Sequence, residues 1–214
     1  MAKKAIVIGA TGLVGRAIVD QLVSSDHISE IITLTRRSSP HTSTKVCNQV
    51  VDFEHLNNYI TLFHADILFS CLGTTVKQAG SIVEQGRVDL DYQFEAAQLA
   101  VSNGVNHYLL VSSAGANDQS NNSYLKMKGL LEQRIKQLPF KRISIFQPSL
   151  LLGQRTEFRL GEKMASWFMP ILCIIPLLRR FRPITGEQVA ARMVLSSQEL
   201  GPSIEIFCLD EVFI

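Results

Sequence analysis

Tyr124 and Lys128 form Y-x-x-x-K in a stretch that reads as a helix from about Tyr124 to Gln137. Residues four apart on a helix share one face, one turn from each other. An ammonium beside a phenol stabilises the phenolate and lowers the phenol's pKa. Such a pair is an acid/base that can exchange a proton with a carbonyl or an alcohol at neutral pH. Ser113 stands eleven residues before Tyr124, at the end of an apolar run, where its hydroxyl can hold a substrate oxygen. Alone the spacing is a weak pattern, and a tyrosine anchoring a helix is the common explanation for it.

A second set lies near the N-terminus. Ala5 to Ile8 is an apolar run of the kind that forms a fully buried parallel strand. Gly9, Gly12 and Gly15 follow as G-x-x-G-x-x-G, and Val14, Ala17, Ile18 and Leu22 then repeat at helical spacing. In a strand–turn–helix context, Gly9 lets the chain turn tightly and Gly12 lets the backbone approach a pyrophosphate. Gly15 lets the helix come close to the sheet. The free N–H groups and positive dipole end of that helix face the phosphates. The bland alternative is a glycine-rich turn with no ligand.

The next expected strand, Ile31 to Thr35, ends in Arg36 and Arg37. In a dinucleotide-binding unit an acid here would bind the ribose 2′-OH of NAD and repel a 2′-phosphate. Two arginines in its place suit NADP and make NAD the less favoured cofactor. Solvated loop arginines are the alternative.

The elements that must position these residues alternate. Strands are expected at Val46–Asp52, Asp66–Leu72, His107–Val111, Ile143–Phe146 and Ile204–Leu209. A long helix is marked by Leu90, Phe94, Ala97 and Val101. This rhythm argues for an α/β fold: a doubly wound parallel sheet, the Rossmann fold, with helices on both faces. The expected organisation is one domain over 1–214, with 153–186 a small substrate-side insertion. Its core, residues 164–178 (MASWFMPILCIIPLL), is broken by Pro170 and Pro176 and is too short for a good transmembrane helix. It reads as a buried or interface helix pair, a lid over a lipophilic substrate, or a membrane-touching surface.

Bulk properties narrow the classes. Hydrophobic content of 46% and charged content of 19% suit a globular enzyme rather than a disordered chain. A net charge of +2 gives no argument for nucleic acid. No apolar h-region opens the sequence, so no secretory signal is expected. Cys47, Cys71, Cys173 and Cys208 form no C-x-x-C pair and read as reduced, mostly buried thiols of a cytoplasmic protein. No metal site is expected, because the five histidines are scattered.

Together, VIGATGLVG, Arg36–Arg37, VVDF, SCLGTT, VSSAGA, Y-x-x-x-K and FQPSLLLG resemble the atypical short-chain dehydrogenase/reductases. Within these the chain is similar to the oxidoreductase family of the human Tat-interacting protein, over about residues 4–195. The resemblance implies that Gly9, Thr11, Gly12, Leu13 and Val14 contact cofactor phosphates and that Arg36 and Arg37 meet the 2′-phosphate. It implies that Asp52 lies near the adenine and that Leu72, Gly73, Tyr124, Lys128, Leu151 and Arg159 complete the cofactor site. Asp89 departs from the asparagine of many members, which leaves its role open. The substrate subdomain is small for a sugar-nucleotide epimerase or dehydratase.

The expected function is NADP-dependent reduction of a small or lipophilic carbonyl, or oxidation of the alcohol. In it Tyr124 is the acid/base, Lys128 tunes it and Ser113 supports the developing oxyanion. The alternative is a non-catalytic NADP-binding regulator or assembly factor acting through a protein partner. The expected partner is a small-molecule substrate, in a monomer or homodimer.

Overall fold

The computed structural model describes residues 2–152, 180 and 182–214. β1 (Lys3–Ile8) carries four consecutive fully buried residues, Ala5 to Ile8, and so runs through the middle of the sheet. It pairs in parallel with β2 (Ile28–Thr35) on one side and β4 (Ile67–Ser70) on the other. β3 (Val46–Val50), β5 (His107–Val111), β6 (Arg142–Gln147) and β9 (Ile204–Cys208) complete an all-parallel sheet in the order β3-β2-β1-β4-β5-β6-β9. This is the expected doubly wound α/β arrangement.

Period-two alternation divides the strand side chains between two cores. Ile6, Ile8, Leu68 and Leu110 face α4 (Tyr92–Ser102) and α5 (Ser123–Lys136), meeting Ala97 and Leu131. Ala5, Val7, Phe69 and Leu109 face α1 (Leu13–Val23) and α6 (Gly186–Gln198), meeting Ile18 and Met193. Ile18 and Leu22, on the helical stripe read from sequence, are fully buried. Each such side chain contributes about 1.5–3 kcal/mol of burial free energy. α6 begins with a capping box between Thr185 and Gln188 and crosses α1 where Gly186 meets Leu13.

Several boundaries differ from the sequence reading. β3 stops at Val50, because Asp52 leaves the sheet to cap the 3₁₀ segment Phe53–Phe63. The long helix is three pieces, α3 (Ile82–Gly86), a π turn (Arg87–Asp91) and α4. A short α2 (Val76–Ala79) precedes them. β7 (Leu151–Leu152) pairs in parallel with β8 (Ile184–Thr185), so residues 184–186 belong to this pair and to α6 rather than to an insertion. Residues 153–179, including Cys173 and the apolar stretch 164–178, lie outside the described residues. No helix among the described residues is long and apolar enough to cross a membrane. The expectation of mostly buried thiols is corrected for Cys47, which is exposed on the edge strand β3, while Cys71 and Cys208 are half-buried.

Candidate active site

The turn after β1 is built by its glycines. Gly9 has φ +80°, the left-handed region open to glycine, and a Cβ on it would stand 2.4 Å from the Cys71 carbonyl oxygen. Gly12 N–H donates to Gly9 O at 3.0 Å and is the N-cap of α1, with no side chain closing the helix start. The first-turn N–H groups of α1 therefore keep their capacity for an anion. A Cβ on Gly15 would lie 2.2 Å from Gly9 O, so that glycine serves helix-to-turn contact, as its spacing suggested.

This turn forms one wall of a cleft of ≈ 1040 Å³. Of the residues expected at the cofactor, Gly9, Thr11, Gly12, Arg36, Asp52, Leu72 and Gly73 line it. Others do not. Val14 and Gly15 are buried in the first turn of α1, and Leu13 rests against Gly186, so any phosphate contact from these three is a backbone contact, while Thr11 lines the cleft. Arg37 is exposed outside the cleft. Leu151 sits half-buried in β7, away from the cleft. Arg159 lies outside the described residues.

Arg36 is the one cationic side chain among the described residues lining this cleft. No acid ends β2: Thr35 is buried, and its Oγ1 accepts from Asn48 at 2.9 Å. The carboxylates that do border the cleft are engaged elsewhere. Asp52 accepts from His55 Nδ1 at 2.8 Å and from the Glu54 N–H at 3.0 Å, and these bonds, His55 first, hold its carboxyl below the usual range. Glu54 accepts from the Tyr92 hydroxyl and pairs with Arg87 at 3.2 Å. Burial, then the bond to Glu54, pushes the Tyr92 phenol up to about 12. Sequence reasoning overlooked Tyr92 and Glu54, since nothing local marks residues 38 apart as neighbours.

The residues expected to act as acid and base are carried by α5. Asn122 caps α5, its Oδ1 accepting from the N–H groups of Tyr124 at 3.0 Å and Leu125 at 3.2 Å. Tyr124 is half-buried, and Lys128, one turn on, is buried. Lys128 Nζ faces Asp89 Oδ1 at 3.2 Å. Burial opposes the ammonium, but Asp89 first and Tyr124 second outweigh it and hold the lysine above its usual pKa. Among the described residues, Ser113 Oγ donates a long 3.4 Å bond to the Ala114 carbonyl. Ser112 is excluded from chemistry: it is buried, and it donates to Glu132 at 2.5 Å, tying β5 to α5. Ser113, Tyr124 and Lys128 do not themselves line the cleft. Lys128 reaches its wall through Asp89 and through the Cys71 thiol, whose ionisation its charge favours while burial pushes that thiol up to about 12.

Residues 9–141 match the family described as NAD(P)H-binding. The chain belongs to this family. It is 37% identical over 172 residues to Protein HTATIP2 of Rattus norvegicus, covering 78% of this chain and 70% of that one. It is 35% identical over 201 residues to Protein FMP52-1, mitochondrial, of Scheffersomyces stipitis, covering 91% and 88%. These relatives bear out the resemblance to the Tat-interacting-protein group. Among solved structures, the Bordetella bronchiseptica enzyme WbmH in complex with NAD+ superposes with TM-score 0.73 at 13% identity, over 97% of this chain and 76% of that one. MoeE5 in complex with UDP-glucuronic acid and NAD gives 0.74 at 15%, over 96% and 76%. At these identities they share the fold. The cytoplasmic expectation is overturned, because the FMP52 relatives from Scheffersomyces stipitis, Candida glabrata and Saccharomyces cerevisiae are all named mitochondrial.

Proposed function

We propose that this NAD(P)H-binding protein is an NADP-dependent oxidoreductase of the short-chain dehydrogenase/reductase type, reducing a small or lipophilic carbonyl or oxidising the alcohol. The observation that carries this reading is the buried Lys128 ammonium, one turn from Tyr124 and directly behind the wall of the cleft. A structural helix has no need of a buried charge there.

The cleft's residues fit a phosphorylated dinucleotide. Gly12 leaves open space that a Cβ would enter, the uncapped start of α1 suits a pyrophosphate, and Arg36 suits a 2′-phosphate. When bound, NADPH supplies a hydride. Tyr124 gives the substrate oxygen its proton in reduction, or takes it in oxidation. Lys128 holds positive charge beside the phenolate that forms. Ser113, lightly held by its own loop, turns its hydroxyl to the developing oxyanion.

The test is a panel of carbonyl compounds followed by NADPH absorbance. Turnover of at least one class, abolished in Tyr124→Phe, is expected. Tight NADPH binding with no turnover across the panel would replace this reading with the non-catalytic regulator.

A further inference from the structure

Asp89 lies in the π turn and its carboxylate is fully buried. Its two oxygens serve different elements. Oδ2 accepts from the backbone N–H of Thr74 at 2.9 Å, in the loop after β4 that lines the cleft. Oδ1 faces Lys128 Nζ at 3.2 Å, a side chain only 3% exposed. Gln85, four residues earlier, donates to Thr74 O at 3.1 Å. Gln93, four residues later, donates to Asp89 O at 2.9 Å and accepts from Ser70 at 2.8 Å. Three buried polar residues at helical spacing thus clamp this helix to the end of β4 and to the cleft wall.

We propose that Asp89 is a positioning residue that couples the charge of Lys128 to the shape of the cleft. One carboxylate supplies the counter-charge that a buried ammonium requires and anchors the Thr74 loop beside the cofactor's place. The inference rests on the proposed NADP-dependent reading. A buried lysine without a counter-charge gives up its proton. The titratable groups acting on Lys128 are Asp89 from the π turn, Tyr124 from its own helix and Cys71 from the end of β4. Asp89 is the only carboxylate among them, and the buried Cys71 thiol carries no charge at neutral pH. An asparagine at 89 would keep an acceptor for Thr74 while removing the counter-charge, so the two roles separate.

The experiment compares wild type, Asp89→Asn, Lys128→Met and the double variant between pH 6 and 9. It reads the Tm without cofactor and the NADPH dissociation constant by calorimetry. In Asp89→Asn, Lys128 falls below its unfolded pKa, so the unfolded chain holds more protons and stability rises with pH. Its Tm should climb from pH 6 to 9 relative to wild type. Its NADPH affinity should move the other way, near wild type at pH 6 and weaker by about tenfold or more at pH 9, as the positive charge behind the cleft wall that attracts the anionic cofactor is lost. The double variant, lacking both groups, should show neither slope. A purely structural role moves Tm alone and at all pH values equally. If the Tm slope of Asp89→Asn matches wild type, the counter-charge role is overturned. A rising Tm with pH-independent affinity overturns the coupling to the cleft. If Asp89→Asn does not fold, refolding in the double variant supports the counter-charge and failure of both overturns it. Wild type that does not bind NADPH at all sinks the proposed function instead, and the Tm slopes still read the ion pair.

Discussion

The carbonyl oxygen of Gly9 occupies the space that a Cβ on Gly15 would need, 2.2 Å from that position. Glycine inside a helix normally costs about 1 kcal/mol against alanine, so its use here reflects contact rather than propensity. Gly15→Ala should lose about 1–3 kcal/mol through overpacking against backbone that cannot move aside. Gly12→Ala has only Gly9 O nearby, at 3.3 Å, and open space otherwise. It should fold with near-normal stability and lose NADPH affinity, because its methyl group fills the cradle. Urea midpoints and NADPH titrations of the two variants check this, and a reversed pattern would remove the assignment of the two glycines.

A pH effect on stability follows from His107. It is buried, its Nε2 lies 2.7 Å from Ser144 Oγ, and Ser144 in turn donates to Glu205 at 2.5 Å. That order makes Nε2–H the donor to Ser144. Burial first, then the charges of Arg142 and Lys3, bring its pKa down to about 3. Its folded value lies below the unfolded one, so the unfolded chain takes up the proton first as pH falls. The stabilisation is full above about pH 6.5 and is lost below it, at up to about 1.4 kcal/mol per pH unit. His107→Gln keeps a donor for Ser144 without titrating. Between pH 7 and 5 wild type should lose about 1–2 kcal/mol more than this variant in urea unfolding. Equal losses would mean that His107 is not the titrating group.

What the sequence made legible was local. The apolar run of β1, the spacing of Gly9, Gly12 and Gly15, and Y-x-x-x-K each sit within one strand, turn or helix. The fold class follows from their alternation. The Asp89–Lys128 pair was not legible, because it joins residues 39 positions apart on two helices whose facing depends on the whole sheet. A partial signal was there: Gln85, Asp89 and Gln93 repeat every four residues beside the apolar stripe of Leu90 and Ala97. Arg36 and Arg37, both past the end of β2, look equivalent in sequence, and only the fold shows that Arg36 lines the cleft and Arg37 does not. Buried Ser112 and half-buried Ser113, both past the end of β5, are likewise told apart only by the fold.

That difference gives a cofactor prediction. Arg36 lines the cleft and Arg37 does not. Charge-assisted hydrogen bonds to a 2′-phosphate contribute about 1.5–3 kcal/mol. Arg36→Ala should therefore weaken NADPH binding by about 10- to 150-fold and leave NADH binding nearly unchanged. Arg37→Ala should alter either by less than about threefold, as an exposed charge acting through solvent does. Calorimetry with both cofactors checks this. Equal losses for NADPH and NADH in Arg36→Ala would show that the arginine does not read the 2′ position.

The acid/base prediction concerns Tyr124→Phe. The ring is half-buried on α5 and the helix is capped by Asn122 through backbone N–H groups, so Tyr124→Phe keeps both the ring and the cap. Lys128 keeps Asp89 as its counter-charge, so its ammonium also survives the change. Cofactor affinity should therefore stay within about twofold, while turnover of any active carbonyl falls by about 10²–10⁴-fold, the usual worth of a positioned acid/base. Lys128→Met differs in kind. It strands the buried carboxylate of Asp89 without its cation, which costs stability and disturbs the Thr74 loop, so affinity and turnover fall together. Steady-state kinetics and calorimetry on both variants separate the two patterns. Full turnover in Tyr124→Phe would take the proton transfer away from Tyr124.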